Sequence, residues 1–394
     1  MTISRRQLAT LFVINIIFWT EAQSFLAMLP VYALRLGAKP AAIGNFLGFA
    51  VLAMPAGGVL AGWLADRLQR RKALLTAAAL LNIPVTSLMS QVADLGQLTI
   101  LTGIFYFLLS IGFATIIILV GLSAGEAERG RVFGVLGVTG PVGGVIAGAV
   151  SGVIVNRRGF PTLFLAAALC WALALLIALL VEEKTVAPAE SQVDSGSSSP
   201  LALGWSFYVM LVANFLAFGC GFVAVLGKPL QMDGLGFNPE AISGVGAVGS
   251  AVSIPLPFLL GWLSDRMNRY SVVAFCFLIG ALGLLALVGS SLLWHFAAAS
   301  ALLPTVGASM SISQALVTDL VPPKSLGMAL GLYSAALQIG IGIGLISTGN
   351  AIQHFGLTAA YIAGAVLTLA AIGLLVAVQS SRRRQLVQAS LAAA

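Results

Sequence analysis

The sequence predicts an all-α integral membrane protein, with about twelve transmembrane helices in two pseudo-symmetric six-helix bundles. Its composition, its apolar windows and a repeated phrase point there. Of 394 residues, 59% are hydrophobic and 8% charged, against about 25% charged in an ordinary soluble domain. So few charges cannot cover an aqueous surface, so lipid must cover most of it. Windows of roughly 20 apolar residues recur from end to end, each long enough to cross ~30 Å of hydrocarbon. The phrase GWLADRLQRR at 62–71 returns as GWLSDRMNRY at 261–270.

The apolar runs place helices at approximately 8–30, 41–64, 73–92, 96–122, 132–155 and 161–181 in the first half. The second half gives approximately 204–227, 240–263, 271–290, 293–317, 327–351 and 357–379. β-Barrel alternation is absent, which leaves helices as the spanning structure. Between the sixth and seventh runs lies VEEKTVAPAESQVDSGSSSP, rich in Ser, Pro and acids, where apolar periodicity stops. It reads as a flexible linker. The expected domains are an N-terminal bundle over 1–181, a cytoplasmic linker over 182–203, a C-terminal bundle over 204–381 and a cytoplasmic tail over 382–394.

The net charge is +7. The basic residues sit in short loops between spans, so the excess reads as topology rather than as a nucleic-acid surface. With the N-terminus inside, the inner segments hold Arg5, Arg6, Arg67, Arg70, Arg71, Lys72, Arg129, Arg131, Lys184, Arg266, Arg269, Lys324, Arg382, Arg383 and Arg384. The outer loops hold Arg35, Lys39, Arg157, Arg158 and Lys228, which completes the 20 Lys and Arg. This bias predicts a multi-pass protein of the cell membrane with both termini in the cytoplasm. The opening SRRQLATLF has a twin-arginine look, but its apolar run extends to Pro30, too long for a signal h-region. Cys170, Cys220 and Cys276 all fall in apolar stretches and read as small buried hydrophobes.

Each copy of the repeated phrase closes the second helix of its half and opens the next cytoplasmic turn. Two halves with one element at the same station imply an internal duplication, the signature of transporters with a site between their halves. The sequence here resembles the major facilitator superfamily. Gly62, Asp66, Arg67, Arg70 and Arg71 match its loop 2–3 signature, with Gln69 where the family has Gly. The second copy keeps Gly261, Asp265, Arg266 and Arg269, with Asn268 for that Gly and Tyr270 for a basic residue. The resemblance implies the superfamily fold and a cluster that latches the two halves in the outward-facing state. Physically, Asp66 can accept from backbone N–H groups at a neighbouring helix start, where the macrodipole favours an anion. The arginines can pair with carboxylates and lipid phosphates. The alternative reading is a topogenic basic loop.

The fifth helix carries Gly140, Gly144, Gly148 and Gly152 at every fourth position, a face that lets helices approach closely. Pro141 removes a backbone donor and bends the helix. The family's drug:proton antiporters have Gly-Pro-x-x-Gly-Gly here; this chain has Gly140, Pro141, Val142, Gly143 and Gly144, one residue shorter. Gly44 and Gly48, Gly244 to Gly249, and Gly340 to Gly344 form further glycine faces. The resemblance sets their helices at the contact between halves. The sixth helix, with no polar residue but Cys170, reads as a lipid-facing support.

Among the acids Glu21 stands apart. It lies mid-span, where an ionised carboxylate is costly, and is the candidate for loading and releasing a proton or for holding substrate. Ser24, Phe25 and Met28 share its face. The alternative is a structural carboxylate bonded to a neighbouring helix. Asn15, Asn45, Asn214, Gln314 and Gln338 are polar residues far from helix ends, so each needs a hydrogen-bond partner. They are either site residues or helix–helix bonds. Trp19, Phe25 and Phe218 are candidate cavity walls; His295 and His354 read as interfacial. No P-loop or zinc-type cluster appears, so the sequence points to no cofactor, metal or enzyme chemistry.

The resemblance implies a secondary transporter working by alternating access, expected as a proton-coupled efflux antiporter of small, partly apolar molecules. The expected partners are that substrate, protons as coupling ion and membrane lipids, with no nucleic acid and a monomeric state. A sugar or polar-metabolite transporter, and a lipid flippase on the same fold, are the alternatives.

Overall fold

The computed structural model describes residues 4–123, 129–183, 203–322 and 325–393. The described chain is helical nearly throughout. In the first half run α1 (Arg5–Arg35), α2 (Pro40–Leu68), α3 (Arg71–Met89), α4 (Leu95–Ser123), α5 (Arg129–Gly137), α6 (Thr139–Arg158) and α7 (Phe160–Ala178). The second half has α8 (Trp205–Gly234), α9 (Pro239–Ser253), α10 (Leu256–Ser264), α11 (Arg269–Leu287), α12 (Leu293–Leu302), α13 (Pro304–Ala308), α14 (Met310–Leu320) and α15 (Leu326–Ala393).

Eleven helical stretches among the described residues are long and apolar enough to cross a membrane. The last, Met328–Ser381, is 54 residues long. It turns at Gly356, where φ is 84°, so it supplies two legs, and the twelve expected spans are present. Several spans are interrupted where the sequence withdraws a donor. α5 gives way to α6 at Val138; Pro141 lacks the N–H that would reach the Gly137 carbonyl, and its ring crowds that oxygen. α9 yields to α10 beside Pro255, and α12 to α13 at Pro304. Caps match the local chemistry: Ser4 Oγ accepts the Gln7 N–H at 3.1 Å, and Asn238 Oδ1 accepts the Ala241 N–H at 2.8 Å.

The contacts group the helices into two compact units. One contains α1 to α7 together with Pro229–Ile254, the end of α8 and all of α9. The other contains Trp205–Lys228 and the helices from Pro255 onward. The expected bundles ended at the linker; by packing, the Pro229–Ile254 segment goes with the first half. That segment is bounded by prolines at 229 and 255. Most of the expected linker, with Lys184, and Lys324 lie outside the described residues. So do the side chains of Arg129, Arg131 and Arg382 to Arg384.

The first unit is centred on aromatic side chains. Phe18, Phe25, Phe105, Phe164 and Trp171 are each at most 1% exposed. The second unit buries Phe207, Phe277 and Tyr333 among aliphatics. The sixth span, α7, is more than a support against lipid. Leu169 and Leu176 face outward, but Trp171 on the same helix is fully buried against Phe18 and Phe105.

Candidate functional site

In the first unit, polar residues of α1 follow one another along its buried side. Asn15 Nδ2 donates to Thr139 Oγ1 at 2.6 Å, tying α1 to the start of α6. Two turns on, Glu21 is 5% exposed and bonded to the thiol of Cys170 on α7. Cys170 is thus a partner of the acid, and half-buried, rather than one more small hydrophobe. Among the described residues no Lys, Arg or His lies within ion-pair distance of Glu21; the ion pair found there is Arg269–Asp319. Phe18 and Phe25 precede and follow Glu21 on the same helical face. Phe18 stacks at 4.7 Å on Trp171, and Phe25 at 4.5 Å on Phe105. The Trp171 Nε1 is buried without a hydrogen-bond partner. The carboxylate therefore sits in an apolar layer with one weak donor.

The remaining candidates are distributed. Ser24 is buried beside Glu21 in sequence. Phe25, expected as a cavity wall, is fully buried and edge-on to Phe164 at 5.5 Å. Trp19 lies against Phe113 at 4.8 Å and over Gly140 and Gly143. Asn45 is half-buried on α2. In the second unit, Asn214 is fully buried; its Nδ2 donates to Met210 O at 2.9 Å, and its Oδ1 accepts from the Tyr333 hydroxyl at 3.5 Å. Gln314 on α14 and Gln338 on α15 are half-buried. His295 completes a helix start, its Nδ1 accepting from the Ser291 and Leu292 amides at 3.3 Å.

The repeated phrase makes the same arginine–tryptophan pairing in both copies. Arg67 lies over the Trp63 ring at 5.2 Å, and Arg266 over Trp262 at 3.9 Å. Both are i, i+4 cation–π pairs on exposed helix ends. Asp66 and Asp265 are exposed. The acid at the neighbouring helix start is not Asp66, as expected, but Glu183. Its carboxylate accepts the Arg71 amide at the head of α3, where the helix dipole favours an anion. Lys72 Nζ reaches the Leu179 carbonyl at 2.7 Å. A Cβ at Gly62 or Gly261 would meet nothing within 4 Å, so neither glycine serves a close approach in this state. Gln69 occupies the left-handed region, with φ 50°. That is the conformation a glycine favours, and it accounts for the family's Gly at this position. Arg70 is exposed beside it.

The glycine face of α6 packs on α9 within the first unit. A Cβ at Gly148 would lie 2.6 Å from the Ala247 Cβ and from the Ser243 carbonyl. Gly144 meets Ser250, and Gly152 meets Ser243 and Pro239. The small residues of α9 that matter are thus Ser243, Ala247 and Ser250; Gly244 and Gly246 face open space. Gly340 packs on Phe215 and Gly344 on Gly219, both of α8 in their own unit. Beside them opens an apolar cavity of about 260 Å³, lined by Cys220, Val223, Gly344, Thr348, Gly364 and Leu367 among others. No residue singled out for substrate contact lines it.

One residue was misplaced by sequence reasoning. Lys228, assigned to an outer loop, lies inside α8, with its Nζ donating to Ser300 Oγ of α12 at 2.7 Å. The helix runs through Pro229 to Gly234, so the apolar run ended before the helix did.

Twelve apolar spans, duplicated loop chemistry and a buried carboxylate define a membrane transporter built from two related halves. The family model for the Major Facilitator Superfamily matches over residues 11–227 and again over 209–391. The chain belongs to that superfamily. Its fold is shared with solved transporters of low sequence identity. A POT family transporter, solved with a thioalcohol-conjugated peptide, is 14% identical with a TM-score of 0.78, covering 95% of this chain and 96% of that one. The nucleoside transporter NupG is 14% identical with a TM-score of 0.74, covering 95% and 99%. A bacterial homologue of the human lysosomal transporter Spinster, in an inward-facing and occupied conformation, is 16% identical with a TM-score of 0.72, covering 95% and 94%.

Proposed function

We propose that this transporter is a proton-coupled exporter of small, partly apolar molecules that works by alternating access. The observation that carries the reading is Glu21, a carboxylate in an apolar layer of the first unit with a thiol as partner and, among the described residues, no cation within ion-pair distance. An uncompensated charge at such depth is costly. A proton, or a cationic group of the substrate exchanged for it, is the natural neutralising partner. Ser24, Asn45, Gln314 and Gln338 supply the polar contacts along the route, while Asn15 and Asn214 hold helices together. The exposed Asp66–Arg67 and Asp265–Arg266 pairs are free to latch another conformation. The glycine face of α6 provides a close helix–helix contact within the first unit. Both termini lie in the cytoplasm, the working unit is a monomer, and the two halves rock about the linker.

The test is flux in proteoliposomes with an imposed pH gradient and a panel of small amphipathic compounds, run beside Glu21→Gln. Loss of gradient-driven flux with counterflow retained is the expected result. Gradient-driven flux that survives the substitution unchanged rejects the proton role.

A further inference from the structure

Lys228 is a cation inside the membrane-spanning part of α8 that the roles above leave unused. It lies six residues before the Gly234 end of the helix, about 9 Å along the axis. A lysine at such a place ordinarily extends its ammonium outward to the headgroups. This one turns inward: its partner, Ser300 Oγ at 2.7 Å, belongs to a residue that is 2% exposed. An ammonium has three N–H donors, and a single neutral hydroxyl does not balance its charge.

Among the described residues no Asp or Glu lies within ion-pair distance of Lys228. Asp233, on the same helix, is outside that range, and His295 of α12 uses its Nδ1 to cap its own helix. Tyr361, 1% exposed, brings its ring and hydroxyl against the α8 backbone at Gly227, where a Cβ would meet them at 2.8 and 2.9 Å. The ammonium and the serine hydroxyl thus stand together on the inner side of α8. A negatively charged oxygen pair accepts from such donors; a neutral amide cannot balance the charge.

We propose that Lys228, with Ser300 beside it, is the anion-recognition point of this transporter and selects small, partly apolar carboxylates as cargo. The inference rests on the transport reading, and it narrows the substrate to organic acids. Lys228 is then a specificity residue, separate from the Glu21 coupling role.

Binding is tested apart from transport. Thermal unfolding of the purified full chain in neutral detergent is followed with benzoate, hexanoate and indole-3-acetate, each beside its primary amide. At least one carboxylate is expected to raise the unfolding temperature while its amide does not. Lys228→Met should weaken that binding about tenfold or more. Lys228→Arg should retain part of it, and Ser300→Ala should weaken it less; these two guard against a misfolded Lys228→Met. If acid and amide act alike, if no carboxylate shifts the wild type, or if Lys228→Met keeps the response, the assignment is overturned. Stabilisation by phosphatidylglycerol alone, lost in Lys228→Met, would make the site a lipid-phosphate contact and also overturn it. Failure of the Glu21→Gln flux test would remove the proton role and leave this binding result standing.

Discussion

Asn15 and Asn214 stand as far apart in sequence as Gly62 and Gly261 do, and each reaches the matching helix of its own half. Asn15 bonds Thr139 on the fifth span, and Asn214 meets Tyr333 on the eleventh. The duplication therefore extends from the loop into the packing. At the same spacing Glu21 falls opposite Cys220, so the acid belongs to one half alone. The two asparagine bonds differ in quality, 2.6 Å against 3.5 Å. Asn15→Ala should cost about 1 kcal/mol, and Asn214→Ala should lose less through its interhelical bond. Thermal unfolding of both variants checks the order; a larger loss for Asn214→Ala would contradict the geometry.

The α6–α9 contact predicts a steep size limit. At Gly148 a side chain has no room, because Ala247 and the Ser243 carbonyl stand 2.6 Å from the Cβ position, and backbone cannot swing away. Gly148→Val should destabilise by about 1–3 kcal/mol and slow transport. Gly58 of α2 has nothing within 4 Å, so Gly58→Ala should leave stability unchanged or slightly raised. Equal unfolding temperatures for the two variants would refute the packing argument.

Much of this was legible in the sequence because lipid imposes a simple rule. Each span must bury its own backbone hydrogen bonds, so long apolar runs become helices with few alternatives. All twelve runs could be found that way. What periodicity could not reach was which side chains meet. Cys170 sits in a run with no other polar residue, and nothing local says that its thiol faces Glu21. Glu183 looked like part of a polar linker, yet it serves the head of α3. Lys228 looked like a loop residue because charge marks the end of an apolar run, although a helix continues through it when a hydroxyl is supplied by another helix. Each miss is a contact between residues distant in the chain, where local pattern carries no signal.

Glu183 and Asp66 separate static from conformational roles. Glu183 accepts the Arg71 amide in this state, so Glu183→Ala should lower stability by roughly 0.3–1 kcal/mol through the half-buried head of α3. Asp66 is exposed, so Asp66→Ala should leave the unfolding temperature within the noise of a surface change but reduce turnover, if it latches another conformation. Unfolding curves and flux on the same preparations test both. A marked stability loss with normal flux for Asp66→Ala would remove it from the latch.

The matching cap positions of the two loop copies differ in backbone conformation, so substitutions there act in opposite directions. In the first, Gln69 ends α2 with φ 50°, a left-handed conformation that costs a residue with a side chain roughly 1–2 kcal/mol. Its backbone N–H still closes on the Ala65 carbonyl at 3.2 Å, so the turn is held by hydrogen bonding that glycine would keep. Gln69→Gly should therefore raise stability, by less than that strain because glycine also gains freedom in the unfolded chain. In the second copy, Asn268 has an ordinary φ of −63°, and its Oδ1 accepts the Tyr270 N–H at 2.9 Å. Asn268→Ala should lower stability by about 1 kcal/mol through loss of that cap. Thermal unfolding of the two single variants reads both effects. Gln69→Gly destabilising the protein would mean that the glutamine side chain contributes more than its backbone strain costs.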